Sequence, residues 1–163
     1  MMTRLFAWGF FLSVLAGCGF HLRGEANLPF ATLYIVAADN SPFGNELKRA
    51  IAGTSRTRIV NQQADAQAVL QILSEIREKQ ILSLSGGGRV REFQLRYRVV
   101  FRLHDGKDKE WIPANEIVLK RDFSFNDTQV LAKEAEEAML YRDMQSDAVQ
   151  QMVRRLTAAR VGT

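Results

Sequence analysis

The chain has a single cysteine, Cys18, and two histidines, His21 and His104, among 163 residues. One thiol cannot form an intrachain disulfide, a tetrathiolate zinc site or a CxxC redox pair. Neither histidine has a second ligand at metal spacing, so both read as polar residues of the tether and of a turn. Residues 86–88 are three consecutive glycines. They lack the lysine of a phosphate-binding loop and lie between two strand patterns, so they read as a flexible turn. Glu134, Glu136 and Glu137 are a possible carboxylate cluster, but acids near a helix start are also explained by the macrodipole. No G-x-S-x-G elbow, HExxH helix or Cys–His pair is present. The chain is expected to be no enzyme and to carry no metal and no cofactor beyond a lipid.

The lipid expectation comes from what precedes Cys18. Residues 1–17 read MMTRLFAWGFFLSVLAG, with Arg4 as the only charge and a twelve-residue apolar stretch over 5–16. Crossing hydrocarbon takes roughly 20 apolar residues, so this stretch reads as a secretory signal. Leu15-Ala16-Gly17-Cys18 resembles the lipobox of bacterial lipoproteins, whose cysteine takes an S-diacylglycerol and becomes the acylated N-terminus. The other reading is an ordinary signal followed by an incidental thiol. Several acyl chains, at about 0.8 kcal/mol per buried methylene, anchor a protein durably where one does not. Gly19, in place of the aspartate that retains many lipoproteins at the inner membrane, implies by the same resemblance the outer membrane. Removing residues 1–17 from 163 leaves 146, enough for an independent core.

Residues 18–31 are expected to form the lipidated tether and 32–163 a single domain. Leu33, Ile35 and neighbouring β-formers make a short strand. Ser41-Pro42 caps a helix that carries Phe43, Leu47, Ala50 and Ile51 inward and stops at Gly53. Residues 57–60 are a short lead-in. A long strand follows, with Leu70, Ile72, Ser74 and Ile76 on one face and an end near Leu84. In the next strand Phe93, Leu95, Tyr97, Val99, Phe101 and Leu103 alternate with mainly charged residues, a period-two pattern that covers one face and leaves the other free. The third long strand groups Ile117, Leu119, Phe123 and Phe125, a side that Arg121 interrupts. Asn126 and Gln129 match a capping box that opens a helix over about 128–160. Its expected core stripe is Leu131, Ala135, Ala138, Ala148, Val149, Met152, Val153 and Leu156. The order β-α-β-β-β-α predicts an α+β two-layer domain, with two helices on one face of a four-stranded mixed sheet.

Strict alternation places Arg77, Lys79, Arg96, Arg98, Arg102 and Lys120 on the outward face, with Glu75, Glu92, Glu116 and Asp122. Two readings stand: cross-strand ion pairing, or a surface for a partner or a phosphate-bearing amphiphile. The net charge of +4 is far below what a nucleic-acid binder presents.

Cys18-Gly19-Phe20-His21-Leu22-Arg23-Gly24 resembles the start of the mature lipopolysaccharide-assembly lipoproteins of the LptE (RlpB-like) family, which begin Cys-Gly-aromatic-His-Leu-Arg. The likeness continues through Glu92-Phe93-Gln94-Leu95, Arg121-x-Phe-x-Phe-Asn, Leu131-Ala132-Lys133-Glu134 and Gln151-x-x-x-Arg155-Leu156. The resemblance implies a plug inside an outer-membrane LptD-like β-barrel. The two would together deliver lipopolysaccharide to the outer leaflet of a Gram-negative bacterium. It also implies that Lys133 contacts lipid A phosphates. The family's basic position near the hairpin tip falls here on the glycine run, with Arg89 the nearest cation. With Arg96 and Arg98 these are the candidate contacts. The competing expectation is a periplasm-facing lipoprotein that binds lipopolysaccharide or another envelope component without a barrel.

Overall fold

A computed structural model describes residues 26–107 and 109–161; the signal, Cys18 and His21 lie outside them. The elements are β1 (Thr32–Val36), α1 (Pro42–Thr54), β2 (Arg58–Ile59), β3 (Ala68–Leu84), β4 (Val90–His104), β5 (Glu110–Ser124) and α2 (Val130–Thr157). The sheet order is β2-β1-β3-β4-β5. β1 is parallel to β2 and β3, and the long meander β3-β4-β5 is antiparallel. Both helices cover one face, so the two-layer α+β expectation holds with five strands rather than four. The added strand is the expected lead-in: Arg58 and Ile59 pair with Thr32 and Leu33, an edge too short to invite further pairing.

The cap of α1 forms as the sequence implies, with the Ser41 hydroxyl accepting from the Gly44 amide at 3.0 Å. Phe43, Leu47 and Ile51 are fully buried. They meet Leu33, Leu70, Tyr97, Val99 and Phe101 from the sheet and Met144, Ala148, Met152 and Leu156 from α2 in one core. Leu28 and Phe30, ahead of β1, join it as well, and the Phe30 ring stacks on Trp111 at 6.3 Å. The helix continues past Gly53 to Thr54, where the Ser55 amide bonds back to the Ile51 carbonyl.

Two expectations fail. First, Leu131, Ala135 and Ala138 are exposed, Leu131 at 83%. The buried stripe of α2 begins only at Tyr141 and Met144, because the first turns of the helix run beyond the main core toward the β3–β4 hairpin tip. Second, β3 does not alternate strictly. Ile72 opposes Phe101 while Ser74 opposes Val100, leaving Leu73 as a bulge. One extra residue reverses which face the rest of a strand presents. Ser74, Ile76 and Glu78 therefore turn outward, while Glu75, Arg77 and Lys79, expected outward, turn in beneath α2 opposite Val99, Tyr97 and Leu95.

Candidate ligand and partner surfaces

The open face of the sheet carries three arginines of β4, and each has a carboxylate partner. Arg96 lies 3.8 Å from Glu78, Arg98 3.7 Å from Glu116 and Arg102 3.4 Å from Glu110. Arg102 also donates to Gln71 at 2.8 Å. After the face exchange, Arg96, Arg98, Arg102 and Lys120 share this surface with Glu78, Glu92, Glu110, Glu116 and Asp122. The positive excess expected there is gone, and cross-strand pairing accounts for the arginines.

Under α2 the relocated charges form a network. Glu75 accepts from the Tyr97 hydroxyl at 2.7 Å and from Ser41 at 3.1 Å. Arg77 donates to Gln145 at 2.9 Å, and its guanidinium stands 5.5 and 5.6 Å from the rings of Tyr97 and Tyr141. Gln145 and Ser146 both donate to Glu46 at 2.6 Å, and Tyr141 donates to the Glu78 carbonyl at 2.7 Å. Burial first, and then the hydrogen bond to Glu75, push the Tyr97 hydroxyl well above its usual range. It stays protonated and serves as a donor rather than a base. Glu75, Arg77 and Tyr141 tie helix to sheet, and Glu46 ties α1 to α2. Among the described residues no group of three or more His, Cys, Asp or Glu is placed to hold a metal ion. His104 accepts from the Gly106 amide at 3.0 Å within the β4–β5 turn.

Arg121, the interruption on β5, faces α2 and pairs with Asp147 at 2.9 Å. Lys79 sits 4.2 Å from the Phe93 ring centroid, with Phe123 and Phe125 at 5.7 and 6.0 Å, and is capped by Glu137 at 2.5 Å. Lys79 and Glu137 thus tie the first half of α2 to the sheet where apolar packing has run out, and Arg121 and Asp147 do so beside the buried stripe. Exposed pairs of this kind contribute about 0–1 kcal/mol each.

The third surface is the far end of the sheet, where the β3–β4 hairpin, the end of β5 and the start of α2 come together. The hairpin closes with Gly88 at φ 78°, the Gly88 amide bonding to Ser85 at 2.9 Å. Ile81, Leu82 and Leu84 on β3 and Val130 and Leu131 on α2 are exposed. Lys133 is 14% exposed and bonds to Glu136 at 2.8 Å and Ser124 at 3.2 Å. Glu136 is itself 45% exposed, so a ligand anion can displace it at small cost. Arg89 and Arg91 are exposed, and neither side chain has an ion-pair partner among the described residues. Of the four contacts expected from sequence, the structure brings Lys133 and Arg89 to one end and leaves Arg96 and Arg98 paired on the open face. Arg91, not among the four, lies at the same end; strand alternation groups residues by face rather than by distance from the tip and so did not single it out.

No helix among the described residues is long and apolar enough to cross a membrane. The family model described as LptE, lipopolysaccharide-assembly, matches residues 30–156. The chain is 32% identical to a protein of Pectobacterium atrosepticum named LPS-assembly lipoprotein LptE, over 96% of this chain and 86% of that one. A protein of the same name from Photorhabdus laumondii is 30% identical, over 91% and 81%. The solution structure of lipoprotein B from Nitrosomonas europaea superposes with a TM-score of 0.75 at 50% identity, covering 86% of this chain and 91% of that one. Rare lipoprotein B from Shewanella oneidensis shares the fold, with a TM-score of 0.63 at 22% identity over 78% and 94%. The match runs from the last residues before β1 to the end of the core stripe of α2, and so takes in the whole folded unit: the chain belongs to the LptE family of lipopolysaccharide-assembly proteins.

Proposed function

We propose that this chain is a non-catalytic outer-membrane lipoprotein, held by acyl chains on Cys18, that plugs an LptD-like β-barrel and supports its assembly. Together the two deliver lipopolysaccharide to the outer leaflet. Membership of the family supports the reading, and so do relatives named LPS-assembly lipoproteins. The observation that carries the ligand half is the far end of the sheet. There, Arg89 and Arg91, with no ion-pair partner among the described residues, stand with exposed Ile81, Leu82, Leu84 and Leu131, which suits phosphates borne on an acyl body.

Gentle detergent extraction of the tagged protein is expected to recover a large outer-membrane barrel in stoichiometric amount. Recovery of the lipoprotein alone would overturn the plug and favour a lipopolysaccharide-binding lipoprotein with no barrel. The anchor has its own test: Cys18→Ala is expected to abolish incorporation of radioactive palmitate, and label that persists would refute the lipid assignment.

A further inference from the structure

We propose that the apolar row Ile81–Phe93–Phe123, beneath the first turns of α2, is a site for an acyl chain of lipopolysaccharide, with residues 130–139 as its lid. The proposal rests on the ligand half of the proposed function and deepens it. Ile81 opposes Phe93 across β3 and β4, and Phe93 opposes Phe123 across β4 and β5. The three side chains therefore stand in line on the helix-covered face of the sheet, over about 10 Å. Phe93 stacks on Phe123 at 5.8 Å, and Phe125 meets Phe93 edge-on at 5.1 Å. The Ile81 end is open, with that residue 58% exposed, whereas Phe123 is buried.

What the lid presents to this row is polar. Of residues 130–139 only Lys133 and Glu137 are withdrawn from solvent, and both only in part. Lys133 bonds to Ser124, and Glu137 holds Lys79 over the rings of Phe93, Phe123 and Phe125. The large apolar side chains of the lid, Val130, Leu131 and Met139, are exposed instead. The helix start is also weakly secured, with no side-chain cap and no acid in its first turn. The core stripe begins at Tyr141, whose hydroxyl bonds to the Glu78 carbonyl and marks the hinge. A helical segment held by partly exposed ion pairs opens more readily than the buried remainder of the same helix.

Charge and backbone together select the occupant. Arg89 and Arg91 stand exposed at the same end as the open Ile81, so cations flank the mouth and rings line the interior. The backbone along the row is paired within the β3-β4-β5 ladder. A peptide laid on it would leave its own amides unpaired, whereas a hydrocarbon chain has none to satisfy. When the lid lifts, Lys79 loses Glu137 and becomes one more cation for a phosphate. Phosphates at the mouth and a chain along the row follow the order of groups in the amphiphile.

Two measurements on the purified lipoprotein test the proposal. Hydrogen exchange without ligand is expected to be at least a hundredfold faster at the amides of 134–139 than at those of 145–152. Equal protection would mean that α2 opens only as a whole and would overturn the lid. Lipopolysaccharide is then titrated into variants. Ala135→Gly with Ala138→Gly, both at exposed positions, loosens the lid without touching the row. It is expected to tighten binding at least threefold, because less is spent on opening. Phe125→Ala, and Ile81→Asn at an exposed position that spares the fold, are each expected to weaken binding at least fivefold. Binding indifferent to all of these would overturn the site while leaving the tip arginines, which are varied separately, as the contact. No binding by the unaltered protein would instead remove the ligand half of the proposed function, and the site with it. Phosphatidylglycerol vesicles that bind with the same dependence on these variants would assign the row to ordinary phospholipid and overturn the choice of ligand.

Discussion

Met144→Ala is expected to cost about 2–5 kcal/mol of folding stability, while Leu131→Ala is expected to change it by less than about 0.5 kcal/mol. Both residues are large apolar side chains of the same helix, and the sequence alone ranks Leu131, not Met144, with the core. The structure separates them: Met144 is fully buried and Leu131 is 83% exposed. Truncating Met144 leaves a cavity between α2 and the sheet at the point where Tyr97, Phe43 and Met152 are also fully buried, with little freedom to collapse into it. Urea unfolding of the two variants checks this directly, since a change of midpoint at constant slope reports stability alone. Equal losses would mean that the first turns of α2 pack into the core. A free Leu131 at no cost to the fold leaves the side chain available for a ligand or a barrel wall.

What was legible in the sequence follows from the range of the signals. Period-two alternation in β4 named its buried face correctly because the strand itself carries no extra residue, and the five inward residues from Phe93 to Phe101 oppose β5 without interruption. The Ser41 cap and the inward face of α1 are local and were readable for the same reason. A bulge is not local in this sense. Leu73 leaves the ladder through the pairing of β3 with β4, and in the sequence only two adjacent apolar residues, Ile72 and Leu73, hint at it. The residues from Ser74 to Lys79 were assigned to the wrong face, including the three charges Glu75, Arg77 and Lys79 that lie under α2. Arg121 could not be explained from its own strand, since its partner Asp147 lies 26 residues later on the helix. The stripe of α2 was overextended because helical periodicity reports which side faces inward and not where the opposing layer ends.

Reversing both tip arginines, Arg89→Glu with Arg91→Glu, is expected to weaken lipopolysaccharide binding at least tenfold, measured by titration of the purified protein. Neutralising Arg96→Gln with Arg98→Gln is expected to weaken it less than threefold. The difference follows from what each cation already does. Arg96 and Arg98 stand within 3.8 and 3.7 Å of Glu78 and Glu116, so a phosphate would have to displace a carboxylate at each and leave it uncompensated on the sheet. Among the described residues the tip arginines have no such pair to break. A charge-assisted bond to a phosphate is worth about 1.5–3 kcal/mol where the cation is free to make it, and a tenfold loss corresponds to about 1.4 kcal/mol. Exposed charges are screened by salt, so the wild-type affinity should fall with ionic strength and the reversed variant should show a flatter dependence. Lys133→Ala is expected to fall between the two, since its ammonium lies at the same end but must first release Glu136. If the sheet-face pair proved the stronger determinant, the ligand surface would move from the tip to the open face of β4. The exposed Ile81, Leu82, Leu84 and Leu131 would then belong to the barrel contact instead.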